Sequence, residues 1–340
     1  MKHFMRHTST IIFLSGFLVD MFLLPEVDDP LTKWIGLGYL LTIALAIYLR
    51  EAVVAMNQAS AIEQKIFSIL TFGIAFFSGS ALSFVFVYYF RSAELAVSWP
   101  FFVMLIGVMI MNEFVSTHNF RYTLDVAVWM VATIFYAIFN VPLLTKAVND
   151  QMFIISIGIS TFATLLYLYI LKYASETSLL FEKKMQALAV VVPLAVAFLY
   201  FSNVIPAVPL ALKDAGVYHS ITRLPNGEYQ LDGKESVRFP IFQTVTYHIK
   251  PTDNGVYFYN AVHAPVNLVA PITHVWEYYN QSTNSWSKRA TIAFTLSGGR
   301  EEGYRSYSNI EHVEEGLWRV TVKVGNNRVI GRMTFNVVKD

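Results

Sequence analysis

Residues 193–216 read PLAVAFLYFSNVIPAVPLALKDAG, and the chain changes character inside them. Upstream of Pro206 the sequence is a succession of long apolar segments; downstream it turns to short alternating runs with turn residues between them. A helical bilayer span needs about 20 mostly apolar residues, whereas strands in globular domains are usually about 5–6 residues long. The reading is an α-helical multi-span membrane bundle over residues 1–206, followed by an all-β, immunoglobulin-like sandwich over residues 207–340.

Composition agrees with that division. Of 340 residues, 55% are hydrophobic and 14% charged, where soluble domains average about a quarter charged. The formal net charge of +1 gives no electrostatic footprint for nucleic acid. The absence of cysteine excludes disulfides, thiolate nucleophiles and cysteine-ligated zinc or iron–sulfur centres. A disulfide-free β-domain outside the cytoplasm suits a bacterial envelope. No cofactor is expected.

Seven segments qualify as spans: Thr8–Leu24, Trp34–Tyr48, Phe67–Phe90, Trp99–Val115, Leu124–Leu144, Met152–Leu171 and Met185–Ile205. The first begins with Lys2 and Arg6 like a signal sequence, but Pro25, Glu26, Asp28 and Asp29 follow it in place of a small-residue cleavage site. It reads as an uncleaved anchor. With the N-terminus in the cytoplasm, Lys2, Arg6, Arg50, Lys65, Arg121, Lys172, Lys183 and Lys184 lie inside, and Lys33, Arg91 and Lys146 outside. That excess of inner positive charge sets the orientation. Seven spans then place the C-terminal domain in the periplasm, and the bilayer is the first partner. Trp34, Tyr88, Tyr89 and Trp99 fall near outer span ends, as an interfacial belt does.

Within the spans, Ala75, Gly79 and Ser83 recur every four residues, a stripe that lets a neighbouring helix of the bundle approach closely. Asp20, Glu113 and Asp125 are the intramembrane polar candidates, and Arg121 and Asp125 are spaced to pair on one helix face.

In the C-terminal region, Trp318, Val320, Val322 and Val324 alternate with Arg319, Thr321 and Lys323. After the turn Gly325-Asn326-Asn327, Val329, Gly331, Met333, Phe335 and Val337 alternate with Arg332, Thr334 and Asn336. This is a hairpin with one apolar face. Ala290, Ile292, Phe294 and Leu296 mark another strand, and 254–263 and 271–280 read as two more. Residues 207–236, punctuated by Pro209, Gly216, Pro225, Asn226-Gly227 and Gly233, read as a linker and first edge. Two clusters could bind a ligand. His274, Trp276 and Tyr278 share one strand face, suited to a sugar ring or a peptide, or to a sandwich core. Gly298-Gly299-Arg300 and Gly303-Tyr304-Arg305-Ser306-Tyr307-Ser308 combine glycines, guanidinium groups and hydroxyls, suited to an anion or to a loop entering a strand. His263 and His274 lack a third metal ligand, and no nucleophilic triad, phosphate loop or dinucleotide fingerprint is present.

The stretches Gly79-Ser80-Ala81-Leu82-Ser83-Phe84, Tyr89-Phe90-Arg91-Ser92-Ala93 and Asn112-Glu113-Phe114 carry a resemblance to a known family. So do Ile272-Thr273-His274-Val275-Trp276, Gly303-Tyr304-Arg305-Ser306-Tyr307-Ser308, Gly316-Leu317-Trp318-Arg319-Val320 and Val329-Ile330-Gly331. Together they resemble the bacterial family of domain of unknown function 2914, a β-domain behind a multi-span region. The resemblance implies an envelope setting and no catalytic residues. It directs attention to His274, Trp276, Arg305, Tyr307 and Ser308 as ligand-binding candidates. The functional expectation is a non-enzymatic bacterial inner-membrane protein whose periplasmic sandwich binds an envelope glycan or a protein partner. The alternative is a transporter, or an enzyme acting on a lipid-linked substrate, working through Asp20, Glu113 and Asp125.

Overall fold

The computed structural model describes residues 15–339 except 21, 26, 28, 57–59, 115–117, 175–181, 226–227, 234–243, 250–254, 301 and 326, and describes 112–114 and 118–120 by backbone alone. The chain forms two compact units. One is helical and draws on residues up to Phe90, on Trp99–Leu144 and on Gln151–Val204; the other comprises Arg91–Ser98, Thr145–Asp150 and the chain from Ile205 onward.

The helical unit contains α1 (residues 15–20), α2 (Pro30–Ala55), α3 (Ala61–Arg91), α4 (Leu95–Phe114), α5 (His118–Thr145), α6 (Asp150–Leu171) and α7 (Glu182–Phe201). Five of these (α2, α3, α5, α6 and α7) are long and apolar enough to cross a membrane; in α4 the corresponding apolar stretch, Leu95–Met111, is shorter. Of the expected first span, residues 8–14 and 21 lie outside the described residues. Helix starts follow local chemistry. Asp29 accepts the N–H of Leu31 at 2.8 Å, with Pro30 next in the chain. Ser60 and Glu63 exchange side-chain and backbone bonds at 3.1 and 3.2 Å, a reciprocal capping box. Pro100, Pro142 and Pro193 lie inside helices and do not end them.

Aromatic donors tie the helices to one another. Trp129 Nε1 donates to the Leu40 carbonyl at 2.9 Å, and the hydroxyls of Tyr136, Tyr167 and Tyr89 donate to the carbonyls of Lys33, Ala44 and Phe135 at 2.8, 2.8 and 2.9 Å. The small-residue stripe Ala75–Gly79–Ser83 is buried within the unit, and Ser83 Oγ donates to the Phe17 carbonyl at 2.9 Å. Gly16 is required at that crossing, because a Cβ there would overlap the Phe76 carbonyl oxygen.

The β unit contains a three-stranded sheet of order β1 (Ala211–Tyr218), β5 (Val256–His263), β8 (Tyr304–Ile310), and a five-stranded sheet of order β4 (Val245–Ile249), β10 (Arg328–Lys339), β9 (Gly316–Val324), β6 (Val269–Asn280), β7 (Ser285–Ser297). The pair β2 (Ser220–Arg223) and β3 (Tyr229–Asp232) makes a separate ribbon. Pairing is antiparallel except between β4 and β10. One core lies between the two sheets, with Val217, Phe258 and Val262 facing Ile272, Trp276, Val320, Val322 and Phe335.

The expected hairpin is β9–β10, with Trp318 opposite Phe335. A register shift between Val329 and Gly331 changes its expected alternation: Ile330, rather than Val329, enters the core. An inserted residue reverses side-chain parity, which alternation alone cannot register. Within the expected linker and first edge of 207–236, residues 211–218 form the edge strand of the three-stranded sheet; Ala215 and Val217 pack in the core, and Lys213 and Asp214 sit at a bulge. Three further segments join this unit. Ala147 bridges Val269, Val148 packs in the core, and the buried Arg328 guanidinium donates to the carbonyls of Ile205 and Pro206. Glu94 Oε2 accepts the backbone N–H of Arg332 at 3.1 Å.

Candidate functional site

The five residues expected to act together occupy opposite sides of the three-stranded sheet. Residues of β8 alternate, so Ser306 and Ser308 turn inward while Arg305 and Tyr307 turn outward. His274 and Trp276 on β6 are fully buried, and they meet Ser308 in the core rather than solvent.

The inward group forms one hydrogen-bonded chain between the sheets. Trp276 Nε1 donates to Ser308 Oγ at 3.0 Å, and Ser308 Oγ lies 2.8 Å from His274 Nδ1. His274 Nε2 lies 3.1 Å from Asn260 Oδ1, and Ser306 Oγ donates to the same oxygen at 2.5 Å. One proton arrangement satisfies these contacts. Ser308 accepts from Trp276 and passes its own proton toward His274 Nδ1, and His274 donates from Nε2 to Asn260. A doubly protonated ring would leave the Ser308 hydroxyl proton without an acceptor. Burial accordingly pushes the His274 imidazole down to about 3. Phe258 and Phe294, with ring centroids 5.1 and 4.7 Å from the imidazole, complete an apolar surround. A histidine held neutral and enclosed in this way fixes the pairing of two sheets; it is inaccessible to a ligand from solvent. Asn260 and Ser306 escaped sequence reasoning as members of this chain. The available signal was a polar residue at a core-parity position, Asn260 between Phe258 and Val262.

The outward group is different. Tyr257 and Tyr259 on β5 share a face with Arg305 and Tyr307 on β8, and the β2–β3 ribbon adds Tyr229, Ile221 and Leu231. Tyr229 meets Tyr259 and Tyr307 edge-on at 5.9 and 5.7 Å, and Tyr218 meets Tyr259 at 6.2 Å. Tyr257, Tyr229, Tyr307 and Arg305 are half-buried. Arg305 pairs with Glu302. Burial pushes Tyr218 up to about 12, with the Asp214 charge adding to it. Aromatic edges beside a guanidinium suit stacking and hydrogen bonding to a polar, ring-shaped ligand.

The glycine-rich loop does not form an anion cradle. The N–H of Gly298 donates to the Leu268 carbonyl at 2.8 Å, that of Gly299 to Ala264 at 3.1 Å and that of Gly303 to Arg300 at 2.9 Å. Those donors are already used by the fold. No group of three or more metal-ligating side chains occurs among the described residues.

In the helical unit, Asp20 is buried and its Oδ1 accepts the Tyr39 hydroxyl at 2.8 Å. Asp125 pairs with Arg121 at 3.2 Å, as its spacing predicts, and also with Arg50 of α2 at 2.5 Å. Arg50 in turn contacts Glu51 at 3.1 Å, and both are buried. Sequence reasoning placed Arg50 in an inner loop because its apolar run stops at Tyr48, whereas α2 continues to Ala55. The Glu113 side chain lies outside the described residues.

The family comparison falls on this same sandwich, from the second residue of β6 to near the end of β10. Residues 270–337 match the family described as Protein of unknown function (DUF2914). The DUF2914 segment thus contains His274, Trp276, Ser306 and Ser308 of the internal chain, with Asn260 supplied from outside it. No curated protein matches the sequence. Among solved structures, the Pseudomonas fluorescens alkylpurine DNA glycosylase AlkC, bound to DNA containing an abasic site analog, aligns over 92% of this chain and 99% of its own at 12% identity, with a TM-score of 0.23. A score that low carries no conclusion about fold or function.

Proposed function

We propose that this is a non-enzymatic inner-membrane protein of a bacterial envelope, whose helical unit spans the bilayer and whose periplasmic, immunoglobulin-like sandwich binds an envelope glycan. The membrane reading draws support from α6, which is inverted relative to a helix in water. It buries Ser156, Ser160 and Thr164 and exposes Ile154, Ile155, Ile159, Phe162, Leu165 and Leu166. Small polar residues inside and large apolar ones outside are what lipid selects. The segments carrying Arg91 and Lys146 belong to the same compact unit as the sandwich, in keeping with both being on its side of the bilayer. For the sandwich, the orders β1-β5-β8 and β4-β10-β9-β6-β7 correspond to A-B-E and A′-G-F-C-C′ of the immunoglobulin arrangement, with Trp276 on the strand in the place of C.

The observation that carries the binding reading is the tyrosine–arginine face of Tyr257, Tyr307, Tyr229 and Arg305. The test is co-sedimentation of the detergent-solubilised full chain with purified peptidoglycan sacculi. Arg305→Ala and Tyr307→Ala are expected to abolish it while leaving the unfolding transition in place. Sedimentation unaffected by both variants removes the face from the function, and its absence in the wild type points to a protein partner instead.

The buried cluster Arg50–Glu51–Asp125, with the half-buried Arg121 beside it, favours a second reading, transport or chemistry on a lipid-linked substrate within the bundle. It predicts that replacing Arg50 and Asp125 together by leucines, which keeps the bundle folded, eliminates transport or turnover of a lipid-linked substrate by the reconstituted chain while sacculus binding persists.

A further inference from the structure

The two sheets of the sandwich end in four edge strands, β1 and β8 on the smaller sheet and β4 and β7 on the larger. An edge strand presents unpaired N–H and C=O groups, and folds guard such edges with short strands, bulges, charge or proline. Three of the four are guarded. β1 carries the bulge with the exposed Lys213 and Asp214, β4 is 5 residues long, and β8 is 7 residues long and carries Arg305. β7 is different. It runs for 13 residues, and its only charged side chains, Lys288 and Arg289, stand near its start, beside the register shift at Trp276 and Glu277. From Ala290 to Ser297 it holds no charge, proline, glycine or register shift. Its one neighbour in the sheet is β6, and that stretch makes no further backbone bond among the described residues. Thr291, Ala293, Thr295 and Ser297 are exposed along it. The core side of this edge is incompletely covered too. Ile292 and Phe294 are half-buried, whereas His274 and Ile272, beside them on β6, are fully buried.

A row of backbone donors and acceptors is matched by another extended strand, and charge selects which one. Laid parallel to its own copy, β7 sets Lys288 against Lys288 and Arg289 against Arg289, a repulsive arrangement. Laid antiparallel, it sends the two basic ends to opposite ends of the ladder. Centring the pair on Ala293 puts Arg289 opposite Ser297, the last residue of the strand. Thr291 then stands beside Thr295 on the exposed face, and Ile292 beside Phe294 on the core face. Both are favourable cross-strand pairs, and the symmetry makes each of them twice. The same operation caps both exposed edges at once and covers the half-buried Ile292 and Phe294 of each copy, so the assembly closes as a two-fold dimer. We propose that β7 pairs antiparallel with β7 of a second copy of this chain, centred on Ala293, joining the two five-stranded sheets into one continuous sheet. The inference concerns the β unit alone and is independent of the membrane reading and of the tyrosine–arginine face.

The test exploits a chain that contains no cysteine. Ala293→Cys introduces a single thiol that meets its own copy across the two-fold axis, where directly opposed Cβ atoms lie about 4.5–5.5 Å apart. A short bis-maleimide added to intact cells is expected to convert this variant to a covalent dimer. Ser282→Cys, exposed on the turn between β6 and β7, is the collision control and is expected to stay monomeric. In parallel, the mass of the full chain in neutral detergent is followed by light scattering over a dilution series. The wild type is expected to dimerise. Ala293→Lys, at an exposed position, places like charges side by side and should raise the dissociation constant by about tenfold or more. Mixing Ala293→Lys with Ala293→Glu chains should restore the dimer, which a variant that merely misfolds would not do. Sacculus binding is unchanged in both variants. Cross-linking through Ala293→Cys no faster than through Ser282→Cys overturns the proposal. So does a dimer whose dissociation constant is the same in wild type and Ala293→Lys, because its contact then lies elsewhere in the chain.

Discussion

Acidification should destabilise the sandwich through His274 by an amount that the structure sets. The ring is fully buried, makes its bonds as a neutral tautomer, and has its affinity for a second proton pushed from 6.5 to about 3. The unfolded chain takes up that proton below 6.5, whereas the folded chain does not until about 3. Stability from this residue is therefore complete above 6.5 and is lost progressively as pH falls between those two values. Between about pH 7.5 and about pH 5 the linkage relation gives a loss of about 2 kcal/mol. At about pH 5 the folded ring is still neutral, so the loss is governed by the unfolded chain and changes little if the folded value moves by about one unit. The assay is chemical unfolding of the full chain in neutral detergent, followed by tryptophan emission. Wild type and His274→Gln are measured together because the chain holds eight histidines. At the higher pH the variant is expected to be less stable by about 1–3 kcal/mol, since it breaks the Trp276–Ser308–His274–Asn260 chain. That gap should close by about 2 kcal/mol at the lower pH. A gap that stays constant would refute the neutral, enclosed histidine.

Three other outcomes follow from the same geometry. Trp276→Phe removes the N–H that Ser308 accepts and leaves a cavity between the sheets; a loss of about 2–4 kcal/mol in urea unfolding is expected, with the fold retained. Asp125→Asn strips Arg50 of a buried counter-charge and should lower bundle stability by about 3–5 kcal/mol, read as melting of the detergent-solubilised chain, while replacing Arg50 and Asp125 together by leucines recovers most of it. Gly298→Ala places a Cβ against the Pro265 carbonyl oxygen, a backbone atom that cannot swing aside, and about 1–3 kcal/mol of sandwich stability should be lost.

Much of the architecture was legible because it follows from periodicity. The helices of the first unit announce themselves by apolar runs, and the β9–β10 hairpin by alternation around Gly325. Legibility failed where a local irregularity changed the parity. The bulge at Lys213–Asp214 broke the alternation that would have bounded β1 within the linker and first edge of 207–236, and the one at Ile330 exchanged it with Val329 in the core. Pairing of Arg121 with Asp125 could be read from a four-residue spacing; the addition of Arg50, 75 residues from Asp125, could not.

The division within the candidate site has the same origin. Sequence by itself determined that His274 and Trp276 share one strand face and that Arg305, Tyr307 and Ser308 lie within one short segment, an anion-binding cluster or a loop entering a strand. A strand has two faces, and the core is defined by what packs against it. Only the folded pair of sheets turns Ser308 inward to His274 and Trp276 and leaves Arg305 and Tyr307 on the far side beside Tyr257 and Tyr259. Charge behaves likewise. The alternation of β9 and β10 put Arg319, Lys323 and Arg332 on a polar face, but the pairing of Arg319 with Glu277, and the bond from the backbone N–H of Arg332 to Glu94, exist only once strands and loop distant in sequence are brought together. Local spacing encodes which side of an element a residue takes, and tertiary packing decides what stands opposite.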